Sequence, residues 1–325
     1  TCPAGQICVG AGQCVTNGEF QVDVLAAAGL AFDPKPRVAG LKGGGFVVVW
    51  GSGSPTADGS GAAVMARLYG DDLQPLGAPF GVNEVLENDQ NEPAVDAATV
   101  GYGRFVVAWS TTDSPGDPGQ GIAARIFEAD GTPVSGEIPV NQITDLNQSK
   151  PAVTMFQDGR FLVSWDTELE DNTYDVEARY FLPDGTPDGD EFRLNVNPAF
   201  NQRTPDVDFL PSSGLVASWS STGMDSQGFA VVASTLFPDG TVDLGEDRIN
   251  DYEFGSQKNQ TVVAFEEGSK VGWFAVFWES QKQASGVESG IFMEILNPLG
   301  VQVGQGVDIQ VHQNDAGAQA LPRAT

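Results

Sequence analysis

A short hydrophobic segment that ends in tryptophan recurs five times along the chain, and this repetition constrains the fold more than any other feature. The five copies read GGFVVVWG, GRFVVAWS, GRFLVSWD, SGLVASWS and GWFAVFWE. Successive tryptophans are 59, 56, 54 and 59 residues apart, at Trp50, Trp109, Trp165, Trp219 and Trp278. A nearly constant period of this length is typical of proteins in which one supersecondary unit is copied along the chain.

Other landmarks keep the same period. A pair of the Val-Asn type, such as Val140-Asn141, is followed by the pattern Gln-x-x-Pro, as at Gln148 and Pro151. Each period contains four short runs of β-forming residues, which are separated by Gly-rich or Asp-Gly turns such as Asp130-Gly131. Helical periodicity of useful length is absent from the sequence. The repeat therefore predicts one four-stranded antiparallel sheet per period.

The strand that carries the tryptophan must be covered on both faces. Residues 105–109 are apolar without alternation, whereas a strand with one face in water alternates apolar and polar residues. Sheets stacked face to face around an axis supply this cover, as in a β-propeller. A β-sandwich would bury one face of each sheet, and a β-helix would have a shorter period. We therefore predict an all-β protein, a β-propeller of four-stranded blades, in which the tryptophans pack between blades rather than stack on sugar rings.

The same landmarks suggest domain boundaries. We expect a cysteine-rich segment over residues 1–18 and the propeller over residues 19–325. The repeats span approximately 36–92, 93–150, 151–204, 205–259 and 260–321, with terminal strands at 19–24 and 322–325. Two interpretations remain open, because either five blades close the ring with these terminal strands or further blades beyond residue 325 complete a six- or seven-bladed ring.

All three cysteines lie in the first fourteen residues, at Cys2, Cys8 and Cys14. Five residues separate each from the next, and this spacing fits a small disulfide segment better than a zinc site. The odd count leaves the pairing open. Together with a chain that opens at Thr1, the cysteines predict the start of a mature secreted protein.

The repeat pattern G-x-F-V-V-x-W … A-R-x-F … V-N … Q-x-x-P resembles a repeat of large secreted and surface-attached proteins of Gram-negative bacteria. The resemblance covers roughly residues 19 to 325. It implies a propeller in an extracellular binding or adhesive context, without an agreed catalytic motif. The segment CPAGQICVGAGQC resembles cysteine-rich segments of bacterial surface lipoproteins, which implies a location outside the cell, secreted or lipid-anchored.

The charge balance excludes some partners. The sequence has 16 basic and 44 acidic residues, which give a net charge of −28. A surface with this charge repels nucleic acids and anionic membranes. No apolar run approaches the roughly 18 residues of a transmembrane helix. The acidity suits a solvated surface, and it also attracts cations.

Catalytic motifs are scarce. The one histidine is His312, and the sequence contains no G-x-S-x-G, H-E-x-x-H or phosphate-binding loop. Glycoside hydrolysis needs a pair of carboxyl groups, and the innermost strands offer Asp96, Asp206 and Asp208. We expect a non-enzymatic module that binds a protein or glycan, or builds a surface assembly. The alternatives are a polysaccharide hydrolase with channel-facing carboxylates and a calcium-dependent adhesion module.

The polar loops between the second and third strands of each repeat are the expected binding face, because variable loops on a rigid scaffold carry recognition. Candidate ligand-binding residues are Asp113, Asp117, Asp166, Glu170 and Asp225. The sequence requires no cofactor, and calcium is the one that these loops could bind, since it prefers oxygen ligands. Its candidate ligands are Asp166, Glu168, Glu170, Asp171 and Asp175, although the same residues are more typical of a solvated acidic loop.

Overall fold

The computed structural model describes residues 7–8, 14–15, 36–53, 61–112, 119–211, 214–266, 268–281, 283, 289–303, 307–311 and 322. Within these ranges the regular structure is β-strand, apart from a 3-10 turn at Gly268–Lys270. The all-β prediction is confirmed. In the part of the chain covered here, no helix has the length and hydropathy that a membrane span requires.

Two short strands, β1 (Ile7–Cys8) and β2 (Cys14–Val15), pair antiparallel near the N-terminus, with Cys8 opposite Cys14 in the register. Cys2 lies outside the described residues, and the disulfide remains a prediction. The predicted terminal strand at 19–24 also lies outside them, as does the one at 322–325 apart from residue 322.

Five four-stranded antiparallel sheets follow, and in each of them neighbouring strands are consecutive in the chain. Sheet 1 contains β3 (Arg37–Gly40), β4 (Phe46–Ser52), β5 (Ala63–Tyr69) and β6 (Phe80–Gly81). Sheet 2 contains β7 (Gln90–Ala97), β8 (Arg104–Thr111), β9 (Gly121–Glu128) and β10 (Ile138–Pro139). Sheet 3 contains β11 (Gln148–Met155), β12 (Phe161–Glu168), β13 (Tyr174–Phe181) and β14 (Phe192–Arg193). Sheet 4 contains β15 (Gln202–Leu210), β16 (Gly214–Thr222), β17 (Phe229–Leu236) and β18 (Val242–Arg248), and sheet 5 contains β19 (Gln257–Ala264), β20 (Phe274–Gln281), β21 (Ser289–Leu296) and β22 (Ile309–Gln310).

The second strand of each sheet is buried on both faces, as its lack of alternation predicts. In β8 every residue after Arg104 is buried. Trp109, Trp165, Trp219 and Trp278 are fully buried, and Trp50 is 3 % exposed. Their rings therefore belong to the hydrophobic core and are not available to stack on a ligand.

The recurring asparagine has a structural purpose. Its Oδ1 accepts a hydrogen bond from a backbone N–H near the start of the third strand, at 2.7 to 2.9 Å. These residues are Asn83, Asn141, Asn195 and Asn250, and each is at least nine-tenths buried. Because a buried backbone N–H needs a partner, the repeat keeps an amide side chain at this position.

The chain forms two compact units. One comprises residues 1–145, 155–161 and 180–189, and its core packs Val47, Val49, Phe105 and Phe127 together. The other comprises residues 146–154, 162–179 and 190–325, and its core includes Val216, Phe274 and Trp278. In each unit the packed residues come from two neighbouring sheets.

The first strand of sheets 2 to 5 begins three residues earlier than the predicted repeat boundary, at the glutamine of Gln-x-x-Pro. The third residue of each of these strands has a positive φ, between 53° and 55°, at Glu92, Lys150, Thr204 and Asn259. The register with the second strand shifts at this residue in sheets 2, 4 and 5. A β-bulge of this kind turns the side chain of the extra residue in a new direction. The strand therefore begins at the glutamine and continues past the bulge through the position of the proline.

Candidate functional site

The innermost carboxylates singled out from the sequence link neighbouring sheets. Oδ2 of Asp96 accepts a hydrogen bond from the backbone N–H of Met155 at 2.6 Å. Oδ2 of Asp208 accepts one from Ala264 N–H at 2.7 Å. Asp206 similarly receives Val262 N–H and the Thr261 hydroxyl, at 2.9 and 2.6 Å. These oxygens bind the first strand of one sheet to the first strand of the next.

A second polar feature recurs where the first strand begins and the second strand ends. The bulged residue of the first strand contacts the residue that follows the tryptophan of the second strand. The contacting pairs are Glu92 with Ser110 (3.4 Å), Lys150 with Asp166 (3.3 Å), Thr204 with Ser220 (3.3 Å) and Asn259 with Glu279 (2.9 Å). The backbone geometry is shared, but the side-chain chemistry differs from sheet to sheet. A repeated fold does not require such variation, which marks these positions as candidates for function.

Sheet 3 carries the oppositely charged pair. The Asp166 side chain is fully buried. Its Oδ2 lies 3.3 Å from Lys150 Nζ and 3.3 Å from Arg203 Nε, and its Oδ1 accepts the Thr204 N–H at 2.6 Å. Burial raises the pKa of Asp166, while the charges of Lys150 and Arg203 act in the opposite direction. The two cationic side chains are 31 % exposed, so they separate this carboxyl group from solvent.

A second carboxylate lies two residues further along the same strand. Glu168 accepts a hydrogen bond from Asn147 Nδ2 at 2.9 Å. This bond, together with one from Tyr174, lowers the pKa of Glu168. The guanidinium carbon of Arg203 lies 3.7 Å from the centre of the Tyr174 ring, a distance typical of a cation–π contact. Arg203 thus lies between a buried carboxyl group and an aromatic surface.

The polar contacts continue into sheets 4 and 5. The Thr204 hydroxyl lies 3.3 Å from Ser220 Oγ, which donates to Gln260 Oε1 at 2.7 Å. Gln260 Nε2 donates to the backbone carbonyl of Thr204. We call Lys150, Asp166, Glu168, Arg203 and Tyr174 the Asp166 site. The network of Thr204, Ser220 and Gln260 adjoins this site through Thr204, whose N–H donates to Asp166.

The other acids of the predicted calcium loop do not converge on Asp166 and Glu168. Glu170 is exposed, and Asp171 accepts the N–H and the hydroxyl of Thr173 within a tight turn. Asp175 holds the connector residue Asn195, whose Nδ2 donates to it at 2.8 Å. Asp171 and Asp175 are therefore each engaged in a different local contact.

Asp225 plays a similar part in sheet 4. Its side chain is fully buried and accepts hydrogen bonds from Asn250 Nδ2, and its Oδ1 lies 3.1 Å from Arg248 Nη1. Burial raises the pKa of Asp225. Asp113 and Asp117 lie outside the described residues, as does His312.

Sequence reasoning singled out Asp166 and Glu168 but missed Lys150 and Arg203. A signal for them was present, because both fall inside the Gln-x-x-Pro pattern, at positions where the other repeats carry different residues. What the pattern cannot indicate is the bulge, which turns Lys150 toward the end of the neighbouring strand.

Solved structures share this fold. An alpha-L-arabinanase from Penicillium chrysogenum matches with a TM-score of 0.57 and 14 % identity, over 85 % of this chain and 82 % of that chain. The Hadza microbial sialidase Hz136 matches with a TM-score of 0.54 and 13 % identity, over 82 % of this chain and 57 % of that chain. A protein of unknown function from Dyadobacter fermentans matches with a TM-score of 0.59 and 12 % identity, over 86 % of this chain and 82 % of that chain. The fold is a β-propeller.

No family model and no curated protein sequence matches the chain. The propeller predicted from the repeat is confirmed. The expectation of a non-enzymatic module is wrong, because the solved propellers that match this chain are mostly glycoside hydrolases, the arabinanase and the sialidase among them. The alternative that the sequence left open, a hydrolase acting on a polysaccharide, fits these comparisons better.

Proposed function

We propose that this propeller hydrolyses glycosidic bonds in a polysaccharide and that the reaction takes place at the Asp166 site. The observation that carries the proposal is the pair of carboxyl groups on β12, whose surroundings shift their pKa values in opposite directions. Glycoside hydrolysis uses one carboxyl group that holds a proton and one that is ionised. Environments that separate two pKa values in this way assign those roles.

The strand geometry brings the two groups to the same face. Asp166 and Glu168 both lie within β12, and alternate residues of a strand share a face with Cα atoms about 6.6 Å apart. The buried Asp166 would protonate the leaving oxygen. The ionised Glu168 would act on the opposite side of the sugar, either on water or on the anomeric carbon.

The cations give the site a means of control. Lys150 and Arg203 cover Asp166, so a substrate reaches that carboxyl group only when one of them moves. Arg203 contacts both Asp166 and the ring of Tyr174, and Lys150 reaches Asp166 with the ammonium group at the end of its long side chain. We therefore propose that sugar hydroxyl groups draw Lys150 away from Asp166. Loss of the neighbouring positive charge would raise the pKa of Asp166 and favour its protonated form.

The experiment is a reducing-sugar assay on purified protein against a panel of polysaccharides, with arabinans and sialylated glycans included because of the structural neighbours. Asp166→Asn and Glu168→Gln should each lower kcat at least about 100-fold, the contribution typical of general acid–base catalysis. Glu170→Gln, an exposed acid of the same segment, is the matched control and should retain full activity. Release of no sugar from any glycan, or full activity in both variants, would contradict the proposal.

We further propose that the enzyme acts outside the cell. The three cysteines near the N-terminus and the net charge of −28 support this location. Fractionation of the producing cells tests it, and recovery of the protein only in the cytoplasm would contradict it.

A further inference from the structure

A second cluster of acids lies far along the chain from the Asp166 site. One carboxylate oxygen each from Asp251, Glu294 and Asp308 lies within 4.8 Å of the other two. Among the residues that the structure describes, this is the group of three or more acids arranged closely enough to hold a metal ion. The cluster does not overlap the loop acids from which the sequence predicted calcium.

Sheet 2 shows what the repeat places at the same positions. Glu84 follows the recurring asparagine, as Asp251 does, and Glu137 directly precedes the fourth strand, as Asp308 does. In both sheets the second of these acids accepts the backbone N–H of the first. The third position is occupied by Arg125 in sheet 2, and its guanidinium pairs with Glu84 at 2.5 Å. In sheet 2 one of the two carboxylates, Glu84, is therefore paired with a fixed positive charge.

Sheet 5 replaces that arginine by an acid. Glu294 lies opposite Val276 in the strand pairing, as Arg125 lies opposite Val107. The substitution removes the cation and adds a third carboxylate. Arg248, whose charge acts on Asp251, is already paired with Asp225 and Glu253. At this position of the described chain, the cluster therefore carries an acid where its counterpart in sheet 2 carries a cation.

One oxygen of Glu294 indicates a missing partner. The residue is 2 % exposed, and among the described residues its buried Oε1 has no hydrogen-bond partner. Burial, reinforced by the carboxylates of Asp308 and Asp251, raises the pKa of Glu294 to about 7. A buried carboxyl group with one unsatisfied oxygen, close to two other carboxylates, is costly in its ionised form unless a cation balances it.

Gln283 supplies a second orphaned atom beside the cluster. Its Nε2 donates to Asp308 Oδ2 at 2.6 Å, while its buried Oε1 has no partner in the part of the chain that the structure describes. Rotation of the amide by half a turn exchanges the nitrogen and the oxygen. The carbonyl oxygen would then face the carboxylates and could serve as a neutral ligand.

We propose that Asp251, Glu294 and Asp308 bind a calcium ion, which supplies the positive charge that Arg125 supplies in sheet 2. Carboxylate and amide oxygens are the ligands that hard cations prefer. Calcium accepts six to eight oxygens in flexible geometry, with water completing the set, whereas magnesium demands a strict octahedron of short bonds. Asp251 and Asp308 lie outside the strands, and this irregular arrangement of ligands fits calcium better.

Thermal unfolding and calorimetric titration test the proposal on the full chain. Calcium at 1 mM should raise the Tm of the wild-type protein by at least about 3 °C relative to EDTA, and titration should show one saturable site. Glu294→Arg restores the residue type of sheet 2, so it should abolish the calcium-dependent shift and unfold at a higher temperature than the wild type in EDTA. Magnesium at the same concentration should have a much smaller effect.

The net charge of −28 attracts divalent ions diffusely, so a charge-matched control is needed. Asp188→Arg makes the same change of charge at an exposed position and should keep the calcium response. An equal shift in Glu294→Arg, or no saturable site in the wild type, would overturn the proposal, and an equal response to magnesium would overturn the choice of ion. If Glu294→Arg does not fold, Glu294→Gln must weaken calcium binding at least about tenfold, and unchanged affinity in that variant would equally overturn it.

Discussion

Lys150 Nζ lies 3.3 Å from Asp166 Oδ2 in sheet 3. The equivalent contact in sheet 5 joins Asn259 Nδ2 to Glu279 Oε2 at 2.9 Å. Both contacts join a bulged residue of a first strand to the residue after a buried tryptophan. The backbone frame is the same, but one pair carries opposite charges and the other pairs an amide with an acid. The site is therefore a variation on a repeated structural position, and the variation can be tested by changing one side chain at a time.

Replacing Lys150 by methionine should change the pH dependence of hydrolysis. The Lys150 charge lowers the pKa of Asp166, so its removal should raise that pKa. If the protonated form of Asp166 is the active one, the alkaline limb of the kcat/KM profile should shift to higher pH. Profiles of the wild type and Lys150→Met should be compared on one substrate. An unchanged or lowered alkaline limb would contradict the role given to Asp166.

Two tryptophan variants should differ in stability by one hydrogen bond. Trp219 Nε1 donates to Gln202 Oε1 at 3.1 Å, whereas the buried Trp109 Nε1 has no partner among the residues that the structure describes. Both Trp→Phe changes remove similar volume from the core, but only Trp219→Phe also removes a satisfied hydrogen bond. We expect Trp219→Phe to be less stable than Trp109→Phe by about 1 kcal/mol. Urea unfolding measures the difference, and a reversed order would count against it.

The innermost carboxylates should matter for folding rather than for turnover. Asp208 accepts the N–H of Ala264 in the next sheet, so Asp208→Ala should lower the free energy of unfolding by about 1–3 kcal/mol. Asp208→Asn keeps an acceptor oxygen and should be milder. Both variants should retain kcat below their unfolding temperatures. A loss of turnover in folded Asp208→Asn would indicate that the catalytic centre lies at the innermost strands instead.

The aspartates of three recurring turns should contribute to acid unfolding. Asp130, Asp184 and Asp239 accept hydrogen bonds from the threonine two residues later, and these bonds lower the three pKa values below 3.8. A lowered folded-state pKa stabilises the protein above the unfolded-state value, and this contribution is lost as the pH falls through the folded-state value. The stabilisation is therefore present at pH 5 and disappears below pH 3.8.

The triple Asn variant provides the comparison for these turns. Its side-chain oxygens still accept the backbone N–H groups, but they do not titrate. Urea midpoints measured between pH 5 and pH 2 should fall less steeply in the variant than in the wild type. Equal slopes would show that the turn aspartates do not contribute to the acid transition.

Much of the architecture follows from local patterns. Unbroken apolar runs such as residues 105–109 require cover on both faces, and the Asp-Gly turns supply positive φ at Gly131, Gly185 and Gly240, at 82° to 86°. The recurring asparagines and buried tryptophans follow from the same repeat. These features depend on residues that are close together in the chain or on a pattern that every repeat shares, which is why they can be predicted without coordinates.

The sequence by itself determined the fold and the positions of the five sheets, and it identified Asp166 and Glu168 as candidate functional residues. Only the tertiary structure decided that Asp96 and Asp208 bind the next sheet, that Lys150 and Arg203 meet at Asp166, and that Glu294 joins Asp251 and Asp308. The reason is physical. A side chain's partners depend on strand register, on bulges and on neighbouring sheets some 55 residues away, and a one-residue change in register exchanges the face on which every side chain lies.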